Sequence, residues 1–155
     1  MCHEVIIRQN DILSFMRHID VVQGIVYRQA DSGTEFLIMK RTPEDGGFWQ
    51  AVTGTIEPGE DLSQTLKREL IEEAGLHSLV RVSDVLHQYE WAKEDISGTD
   101  NVFVVEVPAD SMVNLDPTEH DDYKWLGLED AVSMLKYDGN KSSMREAAQY
   151  ILSII

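Results

Sequence analysis

Cysteine is nearly absent from the sequence, since Cys2 is its only one. A single thiol excludes a disulfide within the chain and is typical of a reducing compartment. No apolar run approaches the roughly 18 residues that a membrane span needs. The first residues also lack the basic segment and apolar stretch of a secretory signal peptide. We therefore expect a cytoplasmic protein with no membrane partner.

Positive charge is the second shortage. The chain has 13 Lys and Arg residues against 28 Asp and Glu residues, for a net charge of −15. Sequence-independent binding to nucleic acid needs a basic surface, so this balance argues against nucleic acid as a partner. An anionic substrate would instead require a recruited cation, and a divalent metal ion can supply that charge.

The length of 155 residues is typical of one domain, and we expect a single domain over residues 1–155. The pattern of strands, one helix, further strands and further helices indicates an α+β protein with a mixed sheet and helices packed on it. The predicted strands are residues 5–8, 20–29, 35–41, 48–52, 80–91, 101–107 and 123–126. The predicted helices are residues 62–74, 128–136 and 143–155, with a short helix or turn at 12–18, and the predicted polar loops are 92–100 and 111–122.

The most informative stretch is residues 54–76, a loop followed by a helix. Asp61 is a suitable N-cap, Gln64 completes a capping box, and Gly75 is a suitable C-cap. Leucine and alanine recur at helical spacing after Asp61, which predicts a buried stripe. Ser143, with a glutamate three residues later, predicts a similar start for the last helix.

Three carboxylates fall on one face of this helix. Glu69 is three residues from Glu72 and four from Glu73, so all three side chains can converge. Like charges at this spacing destabilise a helix unless a cation compensates them. Oxygen ligands favour Mg²⁺ or Mn²⁺, Arg68 can hold a carboxylate in register, and the carbonyl of Gly54 is a further hard donor. The alternative, a solvated acidic helix face, stays open on spacing alone.

The stretch matches the Nudix box, G-x5-E-x7-R-E-U-x-E-E-x-G-U, in which U is aliphatic. Every fixed position is filled, namely by Gly54, Glu60, Arg68, Glu69, Leu70, Glu72, Glu73, Gly75 and Leu76. The chain therefore resembles the Nudix hydrolase family. The resemblance implies an α/β/α sandwich with a mixed central sheet, and an enzyme that uses Mg²⁺ or Mn²⁺ to cleave a phosphoanhydride in a nucleoside diphosphate linked to another group.

The same resemblance assigns roles by position. It implies that Glu69, Glu72 and Glu73 are metal ligands assisted by the Gly54 carbonyl. It also implies that Glu60 and Arg68 orient the loop on the helix. The ion then neutralises phosphate charge and activates a water that attacks phosphorus.

Many Nudix enzymes place another carboxylate in the loop before the late strand, as a metal ligand or general base. Glu119 lies in this region, and we expect it to join the metal ligands and catalytic residues. The neighbouring His120 is an alternative base by its ordinary pKa. An exposed polar loop without a function is the other interpretation of these residues.

Residues outside the box point to the substrate. Lys40 and Arg41 end a strand and are candidate phosphate ligands, whereas Trp49 and Gln50 can stack on and hydrogen-bond a flat heterocycle. Each can also be a structural residue.

Short segments at residues 48–54, 118–120 and 123–126 are similar to bacterial dihydroneopterin triphosphate diphosphatases. They favour a pyrophosphohydrolase of a pterin or nucleoside triphosphate. A hydrolase of dinucleoside polyphosphates or capped RNA ends is the alternative, and a non-catalytic nucleotide-binding module is a further one. The expected partner is a small phosphorylated molecule, and a homodimer is an open option.

Overall fold

The computed structural model describes residues 17–155. Within them the chain forms one eight-stranded sheet, three α-helices and a short 3₁₀ turn at Pro43–Asp45. The strands are β1 (Arg17–Ala30), β2 (Gly33–Arg41), β3 (Trp49–Gln50), β4 (Val52–Thr55), β5 (Arg81–Val82), β6 (His87–Lys93), β7 (Ile96–Glu106) and β8 (His120–Leu126). The helices are α1 (Leu62–Ala74), α2 (Leu128–Met134) and α3 (Asp138–Ile154).

β1 is the centre of the sheet. It runs parallel to β7 along nearly its whole length and antiparallel to β2 near its end. Nearer its start it pairs antiparallel with β4, where Val22 lies opposite Gly54. β8 pairs with β2, and β5 and β6 pair with β7. The predicted mixed sheet is confirmed, and it places Gly54 beside the central strand.

Apolar side chains fill both faces of the sheet. One core packs α1 against it through Val22, Val26, Leu37, Met39, Val52, Leu66, Leu70, Ala74, Leu76, Phe103, Val105 and Val107. The other packs α2 and α3 against the opposite face through Ile25, Tyr27, Phe36, Ile38, Ala51, Val102, Val104, Ala131, Val132, Leu135, Met144, Ala147 and Ile151. This arrangement of layers confirms the predicted α/β/α sandwich.

Two separate strands replace the single strand predicted over residues 80–91. Between them the Ser83 hydroxyl accepts a hydrogen bond from the Val104 amide (2.8 Å) and donates one to the Asp84 carbonyl (2.7 Å). The side chain thus takes a place that a backbone group holds in a regular ladder. The strand is interrupted at its two polar residues for this reason.

The prediction of a polar loop over residues 92–100 is wrong, because most of these residues belong to β6 and β7. Lys93 pairs with Ile96, so β6 and β7 form a hairpin with a two-residue connection. Asp100, which suggested a loop, is buried and accepts hydrogen bonds from Trp91 Nε1 (2.8 Å) and the Tyr89 hydroxyl (2.8 Å). A buried carboxylate satisfied across strands cannot be recognised from local polarity.

Two predicted element starts are also wrong. α3 begins at Asp138, before the predicted cap Ser143, which is buried on the same face as Ala147 and Ile151. The helical periodicity was right, but Ser143 belongs to the buried stripe. β8 begins at His120, inside the loop predicted over residues 111–122.

The strand predicted over residues 5–8 lies outside the described residues. So does most of the predicted helix or turn at 12–18, of which Arg17 and His18 belong to β1. None of the helices in residues 17–155 is long and apolar enough to cross a membrane.

Candidate active site

Gly54 on β4 lies directly against the side chain of Glu69 on α1. A Cβ atom at position 54 would collide with the Cγ and Cδ atoms of Glu69. Only glycine therefore lets the strand approach the helix this closely. The backbone of residue 54 and the Glu69 carboxylate are thereby brought together, as the prediction of a carbonyl ligand requires.

The loop between β4 and α1 is closed by local hydrogen bonds. The Glu57 amide donates to Glu60 Oε1 (3.0 Å), and the Glu60 amide donates to the Glu57 carbonyl (3.0 Å). Gly59 stands between them at φ 85°, in the left-handed region that favours glycine. At the helix start the Gln64 amide donates to Asp61 Oδ1 (2.8 Å), and the Asp61 amide donates to Gln64 Oε1 (2.9 Å). The predicted capping box is confirmed.

Arg68 connects this loop to the helix. Its Nε and Nη2 donate to the two oxygens of Glu60 (2.7 and 3.0 Å), and Nη2 also reaches the Thr55 carbonyl (3.1 Å). Nη1 donates to Glu69 Oε1 (2.6 Å) and Glu72 Oε2 (3.1 Å). The guanidinium holds the pKa of Glu60 at about 2, well below its ordinary value. One cation thus orients carboxylates from both the loop and the helix.

The three glutamates of α1 have different environments. Glu72 is exposed, with 58% of its side chain accessible, whereas Glu69 and Glu73 are 9% and 4% exposed. Burial raises the pKa of Glu69, against the opposing effect of Arg68. Burial, followed by the charges of Glu69 and Glu119, raises the pKa of Glu73 to about 9. Among the described residues, Oε2 of Glu73 has no hydrogen-bond partner.

The loop before β8 is attached to the C-terminal end of α1. The Asn114 amide donates to the Ala74 carbonyl (2.9 Å), and the Asp116 amide makes a longer hydrogen bond to the Glu73 carbonyl (3.4 Å). The Glu119 amide then donates back to the Asp116 carbonyl (3.1 Å). These bonds deliver Glu119 to the helix face that carries Glu73.

Glu73, Glu119 and His120 form a compact cluster. Each offers one ligand atom, and these three atoms lie within 4.8 Å of one another. His120 is fully buried, and burial together with the charge of Arg41 lowers its pKa. Its Nε2 is 3.0 Å from the amide nitrogen of Gln50. His120 is therefore a buried strand residue packed beside Glu73 and Glu119, and it is not part of an exposed loop.

The donor atoms of this region fit a divalent cation. Within residues 17–155, Glu73 has a buried carboxylate oxygen without a hydrogen-bond partner, and Glu69 packs on a backbone that only glycine permits. Carboxylate oxygens with a backbone carbonyl nearby suit the hard ions Mg²⁺ and Mn²⁺. The pair of the buried Glu73 and the partly buried Glu119 also needs positive charge if both groups are to be ionised at neutral pH.

The four predicted substrate ligands do not share one surface. Arg41 lies near the cluster, because it pairs with His120 between β2 and β8, and its Nη2 is 3.3 Å from Asp45 Oδ2. Gln50 is buried and its amide is engaged by His120.

Lys40 and Trp49 lie elsewhere. They are directly paired between β2 and β3 and so extend from the same face of the sheet. Trp49 packs against the core of α2 and α3, and the Lys124 ammonium lies 5.6 Å from the centroid of its ring. Trp49 and Gln50 are successive strand residues, so their side chains point to opposite faces of the sheet and cannot bind the same heterocycle.

Two further residues of the site were not predicted. The Thr65 hydroxyl donates to Glu60 Oε1 (2.9 Å), and Asp116 accepts hydrogen bonds at Oδ1 from the amide (3.0 Å) and hydroxyl (2.7 Å) of Thr118. The Asp-Pro-Thr sequence at 116–118 is a recognisable turn signal that could have located the second. No local pattern identifies Thr65.

The model of the NUDIX domain matches residues 18–148 of the chain. The asymmetrical bis(5'-nucleosyl)-tetraphosphatase of Mus musculus is 25% identical over 150 residues, which are 95% of this chain and 97% of that protein. Dihydroneopterin triphosphate diphosphatase of Escherichia coli K12 is 26% identical over 137 residues, 79% of this chain and 87% of that protein. Both relatives are named as hydrolases of phosphoanhydride bonds.

An octanoyltransferase of Myxococcus xanthus is 36% identical over 115 residues, 72% of this chain, but the chain spans only 31% of that protein. Its name therefore describes a much longer protein. Among solved structures, a C. elegans Ap4A hydrolase has a TM-score of 0.78 at 23% identity, covering 88% of this chain and 99% of that one. The match to the family model over most of its length, together with this fold, shows that the chain belongs to the Nudix family of hydrolases acting on phosphoanhydride bonds.

Proposed function

We propose that the protein is a Mg²⁺- or Mn²⁺-dependent pyrophosphohydrolase of dihydroneopterin triphosphate or a nucleoside triphosphate. The observation that carries this proposal is the set of carboxylates organised by Arg68, with Glu60 and Glu69 on one guanidinium and the buried Glu73 facing Glu119. We further propose that it acts as a single domain in the cytoplasm, which its single cysteine supports.

In the proposed site Glu69, Glu72, Glu73 and Glu119, with the Gly54 carbonyl, hold the ion. A bound divalent ion would supply charge neutralisation of the phosphates and a lower pKa for the attacking water. Water forms a new bond to one phosphorus, the bridging P–O bond breaks, and pyrophosphate leaves. The proton of the water passes to a carboxylate, and we assign this role to Glu119, which is partly buried beside Glu73.

Two arginines complete the proposed site. Arg68 fixes Glu60 and Glu69 in one geometry, so that little reorganisation is needed when substrate binds. Arg41 pairs with His120 between β2 and β8, and we assign it to a substrate phosphate. Its partner Asp45 is exposed and can release it.

A dinucleoside polyphosphate is the second candidate substrate. The observation in its favour is the extent of the match to the mouse tetraphosphatase, which covers 95% of this chain and 97% of that one. A non-catalytic module is disfavoured because every fixed residue of the box is present.

The test is a substrate panel in ¹⁸O-labelled water. Purified protein with Mg²⁺ or Mn²⁺ is incubated with dihydroneopterin triphosphate, each nucleoside triphosphate and diadenosine tetraphosphate, and the products are identified by mass. Pyrophosphate from a triphosphate supports the first candidate, whereas ATP and AMP from the dinucleotide support the second. The position of the label shows which phosphorus is attacked. The Glu73→Gln variant is the matched control, and absence of metal-dependent product from the whole panel would overturn the proposal.

A further inference from the structure

Gln50 and His120 form a buried pair behind the carboxylates. Gln50 is 5% exposed and His120 is fully buried, and the amide nitrogen of Gln50 lies 3.0 Å from Nε2 of the imidazole. In this orientation of the amide its NH₂ group donates and Nε2 accepts. A neutral imidazole that accepts at Nε2 carries its proton on Nδ1.

This tautomer leaves a donor without a partner. Within residues 17–155, Nδ1 of His120 has no hydrogen-bond partner, although the side chain is fully buried. Oε2 of Glu73 is also buried and without a partner in the same part of the chain. A buried polar atom without a partner destabilises the folded protein, so two in one cluster call for an explanation.

The two unpaired atoms belong to neighbouring side chains. A nitrogen of His120 lies within 4.8 Å of a carboxylate oxygen of Glu73 and of one of Glu119. No hydrogen bond joins these side chains in the part of the chain that the structure describes, so donation from Nδ1 requires one of them to shift within this distance. Carboxylates that bind a metal commonly accept a hydrogen bond from a group behind them, which fixes the ligand oxygen.

We propose that His120 is a positioning residue for the metal carboxylates and that Gln50 sets its tautomer. When a divalent ion is bound, Nδ1–H of His120 donates to the carboxylate pair of Glu73 and Glu119 and orients it toward the ion. This inference rests on the proposed function, since it presumes that the pair binds a metal. It also assigns the Gln50 amide to His120 and not to a substrate heterocycle.

An arrangement in which His120 binds the ion directly can be distinguished from this one by experiment. If the Gln50 amide were turned, its oxygen would accept Nε2–H, and the free Nδ1 lone pair could bind the ion directly. His120 would then be a nitrogen ligand. The electron spin echo modulation of bound Mn²⁺ reports this directly, because a coordinated imidazole nitrogen gives a strong ¹⁴N coupling and a hydrogen-bonded one does not.

The main experiment compares two replacements of His120 by their affinity for Mn²⁺ alone, measured from the free-ion EPR signal. His120→Asn keeps an amide donor near the position of Nδ1, whereas His120→Leu removes it. We expect the asparagine variant to stay within about threefold of the wild type and the leucine variant to bind about 10–100-fold more weakly. If the leucine variant does not fold, His120→Gln replaces it, because glutamine places its amide near Nε2 instead. His87→Leu, on β6, controls for loss of a histidine.

A second variant tests the tautomer. Gln50→Glu can only accept, so it should move the proton to Nε2, which ¹⁵N NMR of the imidazole reports. Its added negative charge would by itself strengthen Mn²⁺ binding, so the weaker binding that we expect must come from the lost donor.

The outcomes separate the two proposals. A wild type that binds no Mn²⁺ overturns the proposed metal site itself. A wild type that binds Mn²⁺ with unchanged affinity in the folded leucine variant, or with a strong ¹⁴N coupling, overturns only the positioning role of His120.

Discussion

Replacing Glu73 with glutamine should stabilise the metal-free protein while abolishing hydrolysis. The pKa of Glu73 is about 9 in the folded protein against 4.5 ordinarily. The unfolded chain therefore releases this proton near pH 4.5, whereas the folded protein keeps it until about pH 9. For a group with a raised pKa the stability is highest below the unfolded value and is lost as the pH rises toward the folded one. Glutamine is neutral at every pH and escapes this loss.

The magnitude follows from the difference in pKa. Each pH unit above the unfolded value costs about 1.4 kcal/mol. At about pH 7.5 the cost has an upper limit of about 4 kcal/mol, and local relaxation reduces it to about 2 kcal/mol. For a chain of this size, 1 kcal/mol corresponds to about 2–4 °C in Tm. Glu73→Gln should thus melt about 4–8 °C above the wild type in EDTA.

The assay is thermal unfolding by circular dichroism in EDTA between about pH 5.5 and about 8.5, the interval in which the linkage operates. The control is Glu72→Gln, whose carboxylate is exposed and bound to Arg68. We expect the gap between the Glu73 variant and the wild type to widen with pH, and the control to follow the wild type. Mg²⁺ should raise only the Tm of proteins that keep Glu73. A gap that stays constant with pH would refute the reasoning.

Three further substitutions test other parts of the site. Gly54→Ala should push Glu69 from its place, cost about 1–3 kcal/mol of stability and raise the Mg²⁺ concentration for half-activity. In the control Gly127→Ala the added Cβ would meet no described atom within 4 Å, so the Mg²⁺ dependence should be unchanged and stability should fall only by the preference for glycine over alanine at the N-cap of α2. Arg68→Lys keeps the positive charge but loses the planar guanidinium that binds several carboxylates at once. We therefore expect kcat to fall at least about tenfold in steady-state assays, with the fold retained. Arg41→Gln should raise KM about tenfold with a smaller change in kcat, and an unchanged KM would remove it from phosphate binding.

The loop and helix of the site could be predicted because their determinants are local. Asp61, Gln64 and Gly75 act within a few residues of one another, and the structure has the capping box and the left-handed C-cap as expected. The strand pattern of β1 and β2 is also local, and the strands predicted over residues 20–29 and 35–41 are confirmed.

The parts that failed depend on partners distant in sequence. Asp100 is polar yet buried, because Trp91 and Tyr89 satisfy it across the hairpin. The importance of His120 depends on Gln50, which is 70 residues away. Periodicity cannot report such contacts. The resemblance covered the segments that hold Gln50 and His120, but it did not show that the two side chains are paired.

The hydrogen bonds from Asn114 and Asp116 to the last carbonyls of α1 divide the connection between β7 and β8 into two parts. The length of the segment from Asn114 to Glu119 is fixed, since an insertion there would move Glu119 along the helix and away from Glu73. Before Asn114, residues 108–113 make none of the described hydrogen bonds to Glu73, Glu119 or His120, and Met112 is 83% exposed. We expect the chain to tolerate insertions and fusions there without loss of hydrolysis, which makes this segment the natural place to attach a label or a second domain.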